Sequence, residues 1–590
     1  MRFKIRRALV PAMLIILVVA AAFGPSLTNG FTNWDDDRLI TANPLIRSFS
    51  LPHLSAMFSY AFCGTYIPLT LLTFGAEYGL FGLNPLPYHL TNILLHALNA
   101  LLAGFLVWLL SGRRRVALVA ALLFAVHPLR VESVAWVTER KDVLFAAFYL
   151  AALIAYILHL RRRSTIGYIL SLVSFILSGL AKGAALTLPV VLVLLDYIHH
   201  RPLRGRAVIE KIPFVAIAVA FGLAAVLSQQ TLLSHAIPLV PRLFLIAWVP
   251  VFYLFKILVP LGLSPLYPYP AGFPARLPWS FIISPLIIIL LAVVVVWSRR
   301  KTNKALFAAL FFLATLLPVG QIMTVAGPEI AANRYTYLPL LGIFYLMAEG
   351  FDALVRRWRR GSGLLSVTSM VIIGMLALAS NRRCAVWRDS FSLWNDVLAR
   401  YPEVPEAYSI RGLAFADRGD FAAAVRDYSK AIGLKPDFGQ AYNNRAIAYR
   451  SLGDPTRALE DFDRGLAATP RDPELYYNRG NLWMDQGLYD RAIHDYDAAL
   501  GLDDRHVPAL NNRGNAYCQS GAYESGIADY KTLLSIEPEN HQARYNRAVA
   551  YFLVGDYDRT WQDVRLLSQV GYAVNPSFLD DLRRRSGRDR

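Results

Sequence analysis

An all-α architecture in two parts is predicted for this 590-residue sequence: a polytopic helical membrane bundle, then an α-solenoid. Residues 1–380 hold long apolar runs without charge, whereas residues 381–590 are polar and rich in Tyr, Asn and Arg. Within the second part, small residues recur every 34 positions. The first pattern suits lipid-facing helices, and a fixed period of this length marks stacked helical hairpins.

A helix crossing the hydrocarbon core needs about 20 apolar residues. Such runs fall at about 8–27, 89–110, 116–131, 142–160, 165–181, 183–198, 210–228, 280–298, 304–320, 334–351 and 362–380, giving eleven crossings. The first follows a basic head and is expected to be an uncleaved anchor rather than a signal peptide. The formal net charge is +18, much of it in short clusters between apolar runs. In a soluble protein such an excess suggests nucleic acid; here it reads as topology, since basic loops stay in the cytoplasm. The clusters are Arg2, Lys4, Arg6 and Arg7; Arg113–Arg115; Arg161–Arg163; Arg201, Arg204 and Arg206; Arg299, Arg300, Lys301 and Lys304; and Arg356, Arg357, Arg359 and Arg360. They stand in every second loop, which puts the N-terminus inside and the repeats outside. Residues 242–262 are apolar enough to span but would break this alternation. They are expected as a membrane-lying helix within an outer loop at 229–279, and 66–82 as a re-entrant or interfacial piece. Cys63, Cys384 and Cys518 form no CxxC pair, so neither a disulfide framework nor a zinc site is suggested.

The repeat places small residues at Gly412, Ala446, Gly480, Gly514 and Ala548, and turn glycines at Gly419, Gly453, Gly487, Gly521 and Gly555. Aromatics follow at Phe415, Tyr449, Trp483, Tyr517 and Tyr551, and Pro436, Pro470 and Pro538 close repeats. This resembles the tetratricopeptide repeat, a helix–turn–helix of 34 residues, five copies of which fill 405–574. Such arrays present a concave binding surface. Asn444, Asn478, Asn512 and Asn546 stand two residues before the small positions. They resemble the asparagine ladder that holds peptide backbone in the O-linked N-acetylglucosamine transferase superhelix, because an amide both donates and accepts. The plainer alternative is hydrogen bonding within the array. Arg445, Arg479, Arg513 and Arg547 follow each Asn and are placed to salt-bridge neighbouring repeats.

Two outer loops carry concentrated charge. The first reads TNWDDDRLI at 32–40, with Asp35, Asp36 and Asp37; the second, HPLRVESVAWVTERKD at 127–142, holds Arg130, Glu132, Glu139, Arg140, Lys141 and Asp142. Lys182 and Arg334 stand on the same face. Ionisable groups at membrane depth are functional candidates. Carboxylates serve base work and cations hold phosphate, a pairing that suits transfer from a lipid-linked phosphate donor. The alternatives are structural. The aspartates cap a helix end, with Asp37 the most expendable; Glu132 pairs with Arg140; Lys182 snorkels to headgroups. His89, His96 and His127 are expected to pack or hydrogen-bond locally. No cofactor and no dedicated metal site are predicted, although a divalent metal at Asp35 or Asp36 stays open.

The stretches NWDDDRLITANPLI (33–46), YHLTNILLHALNALL (88–102), HPLRVESVAWVTERKDVL (127–144), LAKGAALTLPVVLVLLDY (180–197) and NRYTYLPL (333–340) resemble bacterial relatives of the transmembrane and tetratricopeptide repeat-containing O-mannosyltransferases, of the GT-C glycosyltransferase superfamily. The resemblance implies a GT-C-like transmembrane domain at 1–380, a connecting segment at 381–404, repeats at 405–574 and a basic tail at 575–590. It also implies an inverting transferase of the bacterial inner membrane with a polyprenyl-phosphate sugar donor and a protein or peptide acceptor. Carried over residue by residue, Asp35, Asp36 and Glu132 would be catalytic, and Arg140, Lys141, Lys182 and Arg334 would hold the donor phosphate. Two positions depart from the family pattern: Ile67 stands where His is usual, and Asn333 where an acid is usual. The family does not fix mannose here. The rival readings are a non-catalytic envelope scaffold anchored by its membrane part, and a lipid transporter, for which mid-membrane charge is sparse apart from Glu77.

Overall fold

The computed structural model describes residues 2–59, 64–228, 237–319 and 329–588. Cys63, residues 229–236 of the expected outer loop, and the side chains of Arg2, Lys4, Arg6 and Arg7 lie outside the described residues. The chain divides into two compact units at Pro402/Glu403.

The first unit is a helical bundle. Among the described residues, seven helices are long and apolar enough to cross a membrane: Leu9–Thr28, Pro85–Ser111, Val137–Arg162, Arg206–Leu227, Leu239–Leu258, Trp279–Ser298 and Arg359–Trp387. Arg114–Val126 and Pro128–Ala135, bent by 57° at His127, make an eighth if taken as one broken span. Thr165–Ala181, Gly183–Ile198 and Lys304–Leu316 are shorter apolar helices beside them. The run expected at 334–351 forms the helix Leu340–Arg357, whose Glu349, Asp352, Arg356 and Arg357 make it more polar than a simple span. Residues 242–262 fall on Leu239–Leu258, which has the length and composition of a span. The 66–82 piece becomes the 14-residue helix Pro68–Phe81.

The basic loops are tied together at one end of this bundle. Arg113 pairs with Glu349 (3.1 Å) and Asp352 (3.4 Å), Arg115 with Asp352 (3.3 Å) and Lys304 with Glu349 (2.7 Å). Arg161 donates to the carbonyl of Leu109, and Arg201 pairs with Glu210 (2.7 Å). The acidic loops 29–47 and 127–142 meet at the opposite end, because helices such as Pro85–Ser111 and Arg140–Arg162 run from one cluster to the other.

The segment 381–402, expected as a connector, is part of this first unit. Asn29 donates to the carbonyl of Cys384 (3.1 Å), Gly30 N–H to Arg388 O (2.8 Å) and Asn33 N–H to Ser390 Oγ (3.0 Å). These bonds fasten the short helix Ser390–Arg400 to the first acidic loop.

The second unit is the solenoid. Five helix pairs run from Pro405–Asp417 with Phe421–Leu434 to His541–Leu553 with Tyr557–Gln569. The glycines at 419, 453, 487, 521 and 555 all have φ between +72° and +87°, a left-handed turn that glycine adopts without strain. The small residue of each first helix faces the residue sixteen places on. Glycine occurs where that residue is Tyr428, Tyr496 or Tyr530; alanine occurs where it is Phe462 or Val564. Residues 575–590, expected as a tail, include the helix Pro576–Ser586, whose Phe578, Leu579 and buried Leu582 cover the apolar end of the last repeat.

Candidate active site at the acidic end of the bundle

The first acidic loop is held by its own aspartates and by tryptophans. Asp36 is buried, and one Oδ accepts from Thr32 N–H (2.8 Å) and Thr32 Oγ1 (3.1 Å). Its other oxygen accepts from Thr138 N–H (3.2 Å), so this carboxyl clamps the first loop to the second. Burial pushes it up to about 6, against the opposing pull of the Thr32 and Thr138 hydrogen bonds. Asp37 accepts from the N–H of Arg38 (2.8 Å), the next residue, at the start of the turn Asp37–Thr41, and caps no helix end. Asp35 is half-buried and is an electrostatic neighbour of Lys141. Trp34 packs on Trp136 (5.0 Å between ring centroids) and Trp394 (5.1 Å), and Trp136 stacks on Trp387 (4.9 Å). Asn33 accepts from the Trp394 indole (2.9 Å). This aromatic block fixes Asp35 beside the charged loops.

Those loops supply cations at the edge of the site and carboxylates beneath them. Arg334 pairs with Glu132 (2.6 Å), with Glu139 (3.5 Å) and with Glu329. Lys141 pairs with Glu139 (3.0 Å); Lys182 pairs with Asp142 and lies 3.8 Å from Glu139. The side chains of Glu132, Glu139 and Asp142 are at most 4% exposed. The three cationic side chains are 12–18% exposed, so they present the accessible face. Glu132 also accepts from Asn333 N–H (3.1 Å), so both its oxygens are engaged in fixing the Asn333–Arg334 turn.

One expected phosphate ligand is misplaced. Arg140 is wholly buried, paired with Glu77 (3.0 Å), and donates to Asn92 Oδ1 (2.5 Å) and Tyr88 O (2.7 Å). It ties the helices Pro68–Phe81 and Pro85–Ser111 to the start of Arg140–Arg162, and a donor phosphate has no route to it. The partner of Glu132 is therefore Arg334 rather than Arg140. The same contact explains Glu77, the one acid in an otherwise apolar segment.

The departures from the family pattern have local reasons. Ile67 is buried in a cluster with Leu39, Ile46, Leu71 and Phe74. Asn333 accepts from Tyr267 OH (2.9 Å) and donates to Ser264 O (2.9 Å). The acid for Arg334 comes instead from Glu329, on a strand whose residues 329–331 pair antiparallel with Tyr267–Pro268. Burial raises the Glu329 carboxyl above its ordinary value, against the pull of Arg334. Glu329 carried no sequence signal, standing alone in a charge-poor stretch. Glu139 was visible in its loop but without a role, and the meeting of Trp34, Trp136, Trp387 and Trp394 depends on contacts across more than 250 positions. The histidines, expected to bond locally, instead tie distant segments together: His96 bonds to Tyr337 OH (2.7 Å) and Ala125 O (3.0 Å), His127 to Ile257 O (3.0 Å), and His89 to Gly30 O (3.4 Å). Among the described residues, no group of three or more His, Cys, Asp or Glu is placed to hold a metal ion.

In the solenoid, Asn444, Asn478, Asn512 and Asn546 are half-buried on the first helices. Asn478 donates to Asn443 (3.0 Å), Asn512 to Asn481 (2.8 Å), and Asn546 to Asn511 (3.1 Å) and Asn515 (3.2 Å), so amides pair across successive repeats. Arg445, Arg479, Arg513 and Arg547 pair with Asp461, Asp495, Asp529 and Asp563, at 2.7, 2.7, 2.6 and 2.7 Å. Arg479 and Arg513 also reach back to Asp463 and Asp497 of the preceding repeat, each at 2.6 Å.

Fold and site together define an all-helical membrane protein with a charged cluster at one end of its bundle and a helical-repeat array after it. Family models for the tetratricopeptide repeat match residues 443–507, and for the TPR repeat residues 412–453 and 514–555. The chain is related to the protein O-mannosyl-transferases. It is 26% identical over 455 residues to Protein O-mannosyl-transferase F38B6.6 of Caenorhabditis elegans, covering 72% of this chain and 63% of that protein. It is 40% identical over 154 residues to Protein O-mannosyl-transferase TMTC3 of Mus musculus, covering 24% of this chain and 16% of that one. The chain thus spans less than two thirds of the length of these relatives. The solved structure of Pseudomonas aeruginosa PilF is similar at 21% identity and a TM-score of 0.29, over 31% of this chain and 84% of that one.

Proposed function

We propose that this protein is a membrane glycosyltransferase, moving a sugar from a polyprenyl-phosphate donor to an acceptor hydroxyl, on protein, at the outer face of the bacterial inner membrane. The observation that carries the reading is the trio Lys141, Lys182 and Arg334. They are partly exposed over buried carboxylates, at the end of the bundle opposite the basic loops. Cations so placed bind a phosphate whose lipid tail remains in the outer leaflet. The names of the relatives support the class of reaction.

Asp35 is the base in this mechanism, because both Asp36 oxygens are taken by Thr32 and Thr138. The Asp35 carboxylate removes the acceptor proton as the hydroxyl oxygen attacks the anomeric carbon. The bond from that carbon to the phosphate oxygen breaks, and its electron pair leaves with the polyprenyl phosphate. The leaving group is a stable anion and needs no general acid. Displacement in one step inverts the anomeric centre. Glu132 holds Arg334 in place, and Asp36 locks the two loops. The repeats bring the acceptor; their Asn row pairs across successive repeats and so shapes the surface that receives it.

The test uses membranes containing the protein, labelled polyprenyl-phosphate hexoses and native envelope proteins. Transfer by the wild type that falls about 10²–10⁴-fold in Asp35→Asn, with insertion unchanged, is the expected result. No transfer from any donor, together with full complementation of a deletion by Asp35→Asn, refutes the proposal in favour of a scaffold.

A further inference from the structure

Among the described residues, Glu139 is the one carboxylate within 4 Å of all three cations: Lys141 at 3.0 Å, Arg334 at 3.5 Å and Lys182 at 3.8 Å. Its side chain is 1% exposed, while those of the cations are 12–18% exposed. A buried anion thus sits behind the cations, with their free faces turned outward. Resting on the phosphate-site reading above, we infer that Glu139 is a positioning residue with two effects. It holds the three cations in one cradle before the donor arrives, and its fixed negative charge weakens the hold of that cradle on the spent lipid phosphate.

The second effect follows from the charge change in the reaction. A polyprenyl-phosphate sugar is a phosphodiester with one negative charge. Transfer leaves a phosphate monoester, close to two negative charges once its second proton is lost near pH 6. Three bare cations would bind the dianion more tightly than the monoanion and so retain the product. A fixed anion within 4 Å of each cation repels the dianion about twice as strongly as the monoanion, which narrows or reverses that preference. Glu132, Asp142 and Glu329 add to the repulsion, but each meets only one of the three cations. Glu139 alone is common to all three, so its removal acts on the whole cradle.

The experiment measures binding of two probes to the full-length purified protein in lipid nanodiscs at pH 8. One is dodecyl phosphate, a dianion; the other is dodecyl methyl phosphate, a monoanion. Neither requires transfer activity. Wild type is expected to bind the two with similar affinity. Glu139→Gln is expected to favour the dianion by on the order of tenfold relative to wild type, and Glu139→Asp to restore the wild-type ratio. Transfer assays should then show stronger inhibition of Glu139→Gln by dodecyl phosphate, with kcat lowered more than KM is raised. If Glu139→Gln binds both probes with the wild-type ratio, or loses both equally while Glu139→Asp does the same, the inference is overturned and the phosphate site stands. If wild type binds neither probe, the phosphate-site reading falls and takes this inference with it.

Discussion

Replacing Asp36 by asparagine separates a clamp from a base. The buried carboxylate accepts three hydrogen bonds, from Thr32 N–H, Thr32 Oγ1 and Thr138 N–H. An amide has one acceptor oxygen, so at least one N–H loses its partner, at about 1–3 kcal/mol. Against this stands relief of a buried charge. Burial raises the Asp36 carboxyl from 3.8 to about 6, so keeping it ionised above pH 6 costs about 3 kcal/mol relative to the unfolded chain. The two terms nearly cancel at pH 7, and Asp36→Asn should then change stability by no more than about 1–2 kcal/mol. The sign of the pH dependence is decisive. A folded-state value above the unfolded one gives stability that is fully present below pH 3.8 and is lost as pH rises through 6. Wild type should therefore lose up to about 3 kcal/mol relative to Asp36→Asn between pH 4 and 7. Thermal unfolding in detergent at a series of pH values, wild type beside the variant, reads this directly. Transfer should fall about tenfold in Asp36→Asn, through loosened loops, well short of the loss in Asp35→Asn. Parallel pH profiles for wild type and variant would refute the reasoning, as would a transfer defect equal to that of Asp35→Asn.

The solenoid gives two further tests. A Cβ at Gly514 would sit 2.7 Å from Tyr530 Cε1, so Gly514→Ala should destabilise the array by about 1–3 kcal/mol in chemical unfolding; adding Tyr530→Val, which copies the Ala548–Val564 pair of the fifth repeat, should recover part of that loss. The inter-repeat ladder in which Arg479 and Arg513 reach Asp463 and Asp497 meets Lys531 at the equivalent position, so Lys531→Asp should give Arg547 a second partner and raise stability by about 0.3–1 kcal/mol, an effect that disappears in high salt.

The parts legible in the sequence were those set by short-range physics. The 34-residue period located every turn glycine, because each turn requires positive φ at the same place. The Arg that follows each Asn is expected to bridge neighbouring repeats, but its main partner, Asp461, Asp495, Asp529 or Asp563, lies in the second helix of its own repeat, and Arg479 and Arg513 reach the preceding repeat as well. The apolar runs located the bundle helices, and the alternation of basic loops agrees with their gathering at one end. The reading was weaker where polarity is shared between functions. Arg140 has the chemistry of a phosphate ligand, and only its pairing with Glu77, fixed by the packing of two other helices, shows that it is buried.

The same limit hides Glu139 and Glu329, the two acids that complete the cluster around Arg334. In a soluble enzyme, a buried acid among cations is often inferred from the apolar pattern it interrupts. At a membrane face that pattern is already broken by loops, and a carboxylate on a turn looks the same whether it points to water or inward. What distinguishes them here is the competition for each cation. Arg334 is held by Glu132, Glu139 and Glu329, Lys182 by Asp142 and Glu139, and Lys141 by Glu139. A cation held by buried acids on one side and open on the other is oriented before substrate arrives, so little ordering entropy is lost on binding. The opening run Asp35–Asp37 divides on the same principle. Asp37 accepts from the N–H of the next residue, Asp36 joins two loops with both oxygens filled, and Asp35 is left half-buried beside Lys141, the place that the proposed mechanism gives to its base.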